Sequence, residues 1–93
     1  MKATNKKLRV KQWMGNKIAN EIGRNITMCD IFGILKETEK AIYAVIAIGC
    51  DQRKTMWIPK SAIEEQENGM DTYEFDSYEE AVEALKNEWA LYK

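Results

Sequence analysis

Arg53, Thr55, Trp57 and Lys60 place two cations, a hydroxyl and an indole within the eight-residue stretch RKTMWIPK. An aromatic ring flanked by cations suits stacking on a base or anchoring a protein partner. Two further groups carry chemistry-bearing side chains. Lys2, Lys6, Lys7, Arg9 and Lys11 could contact phosphates, and Glu79, Glu80, Glu83 and Glu88 could present a row of carboxylates to a basic cleft in a partner. Each has a plainer reading beside it. Ile58-Pro59 is a natural strand end, because proline cannot donate to a sheet and pushes the preceding residue to extended geometry. The basic residues are also those of a solvated tail, and the acidic ones those of the wet side of an amphipathic helix.

The chain contains no histidine, which excludes Ser-His-Asp and Cys-His catalysis, and two cysteines alone cannot complete a tetrahedral zinc site. Glu64, Glu65, Glu67, Asp71, Glu74 and Asp76 fit no calcium loop and read as a solvated acidic surface. The five glycines are scattered singly, so no phosphate-binding loop is present. No enzyme activity, metal or cofactor is expected. Cys29 and Cys50 lie in apolar segments and are expected as buried thiols rather than a disulfide.

Net charge of −1 conceals a polarity along the chain. Residues 1–24 carry seven Lys/Arg against one acid, whereas residues 63–93 carry ten acids against two lysines. At 93 residues, 45% hydrophobic and 31% charged, residues 1–93 are expected as one soluble domain with 1–7 as a flexible basic arm. A core of that size leaves no room for a deep substrate cavity. No apolar run has secretory or membrane-spanning character, so a cytoplasmic location is expected.

The elements that must position these side chains follow from periodicity. In VKQWMGNKIANEIG, Val10, Trp13, Met14, Ile18 and Ile22 recur at helical spacing, predicting a helix that ends near Gly23. The β-branched and aromatic stretch from Ile26 to Pro59, interrupted by KETEK and GCDQRK, predicts a three-stranded antiparallel meander. Its middle run, Ala41–Ile48, is apolar throughout, so both faces are expected to be covered, with room for a helix on each. That expectation favours a packed Trp57 over an open one, since alternation sets Trp57 opposite Met56 and Ile58. Capping boxes at Ser61/Glu64 and Ser77/Glu80 predict two helix starts. The first helix is short and stops by Asn68-Gly69. Between the two helices MDTYEF forms a short strand, with Tyr73 and Phe75 on one side. The second helix carries Tyr78, Val82, Leu85, Trp89 and Tyr92 on one stripe. The expected fold class is therefore α+β: a three- to four-stranded antiparallel meander sheet with an N-terminal helix, a short helix after the third strand and a C-terminal amphipathic helix.

KETEKAIYAVI followed by KTMWIPKSAIE resembles small proteins carried by bacteriophages and other mobile elements of bacteria, in which a TEKA-type hairpin leads to a W-I/V-P-K-S strand end. The resemblance spans about half the chain and carries no catalytic residue. It implies an accessory protein that modifies replication or blocks a host defence complex, such as a CRISPR effector. The leading expectation is a non-catalytic protein-binding module in the bacterial cytoplasm, its acidic C-terminal third meeting a larger host protein or protein–nucleic acid complex. The alternative is a nucleic-acid-binding accessory protein that uses the basic arm and the Arg53/Trp57/Lys60 edge.

Overall fold

The computed structural model describes residues 2–23, 29–48 and 52–91. Among these residues the chain forms β1 (Lys2–Lys6), β2 (Leu8–Val10), α1 (Gln12–Ile22), β3 (Cys29–Glu37), β4 (Ala41–Ile48), β5 (Gln52–Pro59), a single 3₁₀ turn (Lys60–Ala62), β6 (Ile63–Glu65), β7 (Thr72–Glu74) and α2 (Tyr78–Ala90). The fold class differs from the expected three- to four-stranded meander. All seven strands join one sheet, curled into a half-barrel, and the protein is strand-rich with two helices.

The sheet is large because one edge of β3 serves two partners. β4 lies antiparallel along its other edge, and β5 antiparallel beyond β4. On the forked edge, β2 pairs antiparallel with the first part of β3, Leu8 opposite Ile31 and Arg9 opposite Asp30. β7 pairs parallel with the later part, Gly33 opposite Tyr73 and Ile34 opposite Glu74. β6 then pairs with β2, and β1 with β7. The N-terminal chain thus runs beside β3 in β2 but is separated from it by β7 in β1.

Thr72 occupies the point of this fork and is 1% exposed. Its hydroxyl donates to the Ile31 carbonyl at 2.6 Å and accepts from the Leu8 N–H at 3.0 Å. The backbone carbonyl of Thr72 accepts from the Thr4 hydroxyl at 2.6 Å. One side chain therefore satisfies two backbone groups that the splitting ladder leaves facing each other. The register of β1 shifts between Ala3 and Lys6, and Asn5 there has φ of 61°, a left-handed conformation that asparagine tolerates at a bulge. Gly33 lies beside the same fork. A Cβ there would stand 2.6 Å from the Phe75 ring, so β7 can approach only because the side chain is absent.

Two cores lie on the two faces of the sheet. On one, α1 packs Ile18 against Ile31, Ile42, Ala44, Ile46, Ile48 and Ile58. On the other, α2 sets Ala81 and Leu85 against Phe32, Val45, Ala47 and Phe75. β4 contributes to both, in keeping with its apolar run. Phe32 stacks on Phe75 with centroids 5.6 Å apart and meets Tyr73 edge-on at 5.7 Å. Cys29 is a free buried thiol, its pKa raised by burial and by neighbouring Asp30. Cys50 lies outside the described residues.

Three local expectations are corrected. The Ser61/Glu64 box does not start a helix: Lys60–Ala62 is one 3₁₀ turn and Ile63–Glu65 becomes β6. A free strand, β2, offered Ile63 a ladder and Glu64 a salt bridge, and that tertiary pairing outweighs a cap of about 1 kcal/mol. Residues 2–6, expected within a flexible arm, form β1 on β7. Trp13 is 49% exposed beneath the Lys17 ammonium rather than on the apolar face, while Gly15 is buried. By contrast, α1 ends at Gly23 in the left-handed conformation, and the Ser77 hydroxyl caps α2 by accepting from Glu80 N–H at 3.2 Å.

Replacing Thr72 by valine keeps the shape but leaves Leu8 N–H and Ile31 C=O without their partner. Thr72→Val is expected to destabilise the fold by about 2 kcal/mol, read from the urea midpoint. Thr72→Ser, which keeps the hydroxyl, should recover most of that loss; equal destabilisation by both would assign the effect to the methyl group instead.

Candidate functional site

Among the described residues β5 is paired on one side only, to β4. Its alternation sends Lys54, Met56 and Ile58 toward α1: Met56 and Ile58 join that core, and the Lys54 ammonium binds the Glu21 carboxylate on the helix. Arg53, Thr55 and Trp57 therefore face the α2 side, opposite Ala47, Val45 and Tyr43 of β4. Helix α2 packs over β3 and β4 and leaves the edge strand open at Trp57. The indole is 46% exposed, correcting the packed expectation. It rests against Tyr43, with ring centroids 5.2 Å apart and planes at 45°.

Tyr78, the first residue of α2, is 43% exposed, with the side chains of Arg53 and Thr55 beside its phenol. The start of the helix thus lies next to the sheet edge. The Arg53 guanidinium favours the phenolate, so the Tyr78 pKa lies below the ordinary 10.0, whereas burial, with Asp71 and Glu88 nearby, raises that of Tyr73. The site is thus a platform of Trp57, Tyr43 and Tyr78 with Arg53 and Thr55 alongside. Neither Tyr43 nor Tyr78 was expected as a site residue, and Tyr78, placed by its spacing on the apolar stripe of the second helix, is exposed instead. A turn centred on Cys50 would have set Tyr43 opposite Trp57, seven positions to either side; Tyr78 had no such signal, because its place depends on where α2 docks.

Lys60 does not belong to this platform. Its ammonium lies 2.7 Å from Glu37 Oε2 at the end of β3 and holds that carboxyl below its ordinary 4.5. The stabilisation from this pair is present above the carboxylate's unfolded pKa and is lost as pH falls through the depressed folded value. The two residues belong instead to the rim of an open cleft of about 590 Å³ inside the curl of the sheet, floored by Leu8, Ile34, Ile42 and Ile63. The molecule thus holds a larger concavity than its length suggested, although Lys6, Lys60, Glu37, Glu64 and Glu65 of its lining are already in ion pairs.

The basic residues do not form a free stripe. Arg9 Nε is 2.7 Å from Glu64, Lys7 3.7 Å from Asp71 and Lys6 3.9 Å from Glu65, while Lys2 lies opposite Glu74 in the β1–β7 ladder. Lys11 is half-buried where the chain enters α1. The acids do not form one row either. At about 100° per residue, Glu79, Glu80 and Glu83 share one sector of α2, and Glu88 is turned about 180° from Glu79. Among the described residues no three Asp, Glu or Cys side chains converge as a metal site requires, and no helix is long and apolar enough to cross a membrane.

Comparison with protein-family models, curated proteins and solved structures finds no match to this chain.

The arginine–phenol contact has a spectroscopic signature. Followed by the 13Cζ shift, Tyr78 is expected to titrate below 10.0 and Tyr73 above it. Arg53→Ala should return Tyr78 toward the ordinary value and leave Tyr73 unmoved, and an unchanged Tyr78 titration in that variant would rule the contact out.

Proposed function

We propose that this chain is a small non-catalytic protein-binding module whose contact surface is the Trp57, Tyr43 and Tyr78 platform. The observation that carries this reading is the exposure of two large aromatic side chains, Trp57 and Tyr78, on one face and held in place by neighbours. Tryptophan, tyrosine and arginine dominate interface hot spots because they bring large contact area at low entropic cost together with a polar handle. Glu79 and Glu83 follow Tyr78 along α2 on its exposed side and supply acidic groups beside the aromatic centre. A partner with an apolar pocket and a basic rim complements this surface.

The resemblance of KETEKAIYAVI and KTMWIPKSAIE to proteins of phages and mobile elements extends the proposal: the partner is a larger protein or protein–nucleic acid complex of a bacterial host. Inhibition of a nucleic-acid-handling defence complex is the activity it implies. Direct nucleic-acid binding is the second reading. It is disfavoured because Lys6, Lys7 and Arg9 already face carboxylates, so contact with phosphates would first have to break those pairs.

Pull-down from bacterial lysate with the wild-type chain and two sets of variants tests the assignment. A partner recovered by the wild type should be retained less by Trp57→Ala, by a factor of about 30 in affinity. Lys2→Ala with Lys6→Ala should leave it in place. Undiminished recovery with Trp57→Ala would remove the platform from the interface, and steeply salt-dependent binding to single- or double-stranded DNA or RNA would favour the nucleic-acid reading.

A further inference from the structure

The phase of the β4–β5 ladder decides which backbone groups of β5 face outward. Lys60 N–H donates to the Lys40 carbonyl at 2.8 Å, and Ala41 stands opposite Pro59. In an antiparallel ladder hydrogen-bonded and non-bonded pairs alternate. Residues 52, 54, 56 and 58 therefore bond to β4, while Arg53, Thr55 and Trp57 turn N–H and C=O away from it. Pro59 falls in the same outward phase, where its missing N–H costs no ladder bond. The three β5 residues on the platform face are thus also the three whose backbone no described strand pairs.

Open edges are usually blocked by charge. Here Lys54 is bound to Glu21 on the α1 face, and the Arg53 side chain lies beside Tyr78 on the α2 face. Arg53 and Trp57 are exposed and Thr55 is half-buried between them. β5 contains Arg53 and Lys54 and no acid, so a second copy of the same strand would bring four cations into one ladder. An extended segment of another protein that carries an acid is the complementary occupant.

We infer that β5 binds its partner by strand addition: an extended, acid-containing segment of the partner protein pairs with the outward backbone of Arg53, Thr55 and Trp57. This deepens the platform reading and rests on it. An antiparallel segment runs past Trp57 before Arg53, so it sets an apolar residue beside Trp57, a second residue beside Thr55, and an acid beside Arg53 four positions after the apolar one. Backbone bonds supply the affinity and the two end positions the selectivity.

A random dodecapeptide library displayed on phage, panned against the immobilised chain, is the probe. Enriched peptides are expected to carry an acid four positions after an aromatic or aliphatic residue, and to slow amide hydrogen exchange at Arg53, Thr55 and Trp57. Thr55→Pro removes one outward N–H without touching the bonds to β4, and should weaken the selected peptides by about tenfold or more, whereas Thr55→Val should not. The exchange measurement on the wild-type chain decides the matter even where Thr55→Pro fails to fold. Strand addition is overturned by a folded Thr55→Pro that binds as tightly as Thr55→Val, by unchanged exchange at the three amides, by the absence of any enriched peptide, or by a chain that alone sediments as a dimer with those amides already protected. Binding that needs Trp57 but ignores Thr55→Pro would keep the platform as the interface and reject strand addition alone.

Discussion

The architecture depends on one hydroxyl. Where β2 and β7 divide the edge of β3, Leu8 N–H and Ile31 C=O are both bonded to Thr72 Oγ1 in a site closed to water. A buried backbone group without a partner costs as much as several ordinary contacts contribute, so a forked ladder needs such a bridge. With it, β1 and β7 extend the sheet past the end of β2, and the added strands curl it around the open cleft. Gly33 serves the same junction by letting the Phe75 ring lie against the backbone.

The fork also determines where the charge goes. A chain with a basic start and an acidic end would carry strong surface poles if its ends stayed apart. The ladders bring β1 against β7 and β2 against β6, and Lys6, Lys7 and Arg9 meet Glu65, Asp71 and Glu64. Each exposed pair contributes little to stability, but their sum cancels the sequence polarity over that side of the molecule. The aromatic platform lies apart from these pairs, where α2 begins and β5 borders the sheet of the described residues.

At that edge the two cores give out together. α2 is long enough to cover β3 and β4 but docks with its first residue at β5, so Trp57 and Tyr78 are supported from below and open above. Among the described residues no strand pairs with the outer backbone of β5, and Lys54, one of the two cations that could guard it, is bound to Glu21. Aromatic surface and unpaired backbone therefore coincide on Arg53, Thr55 and Trp57, and both features bear on how a partner would be held.

Much of this was written locally in the chain. The spacing of Met14, Ile18 and Ile22 dictates an amphipathic α1, Ser77 caps α2, Pro59 ends β5, and the unbroken apolar run of β4 requires cover on both faces, because these are properties of neighbours a few residues apart. The expected sheet was nevertheless too small. β1, β2 and β6 are short, polar or flanked by signals for other structure, and they are strands only because distant partners offer them ladders; Ser61 begins no helix for the same reason. No local pattern marks Thr72 as a bridge between residues 8 and 31. Nor does one separate Lys60 from Trp57, which adjoin in sequence and serve opposite faces, or measure how far α2 reaches over β5. Helices and turns were legible because their bonds close within four residues, while the fork, the cancelled charge and the exposed platform rest on contacts between residues tens of positions apart, which only the tertiary structure brings together.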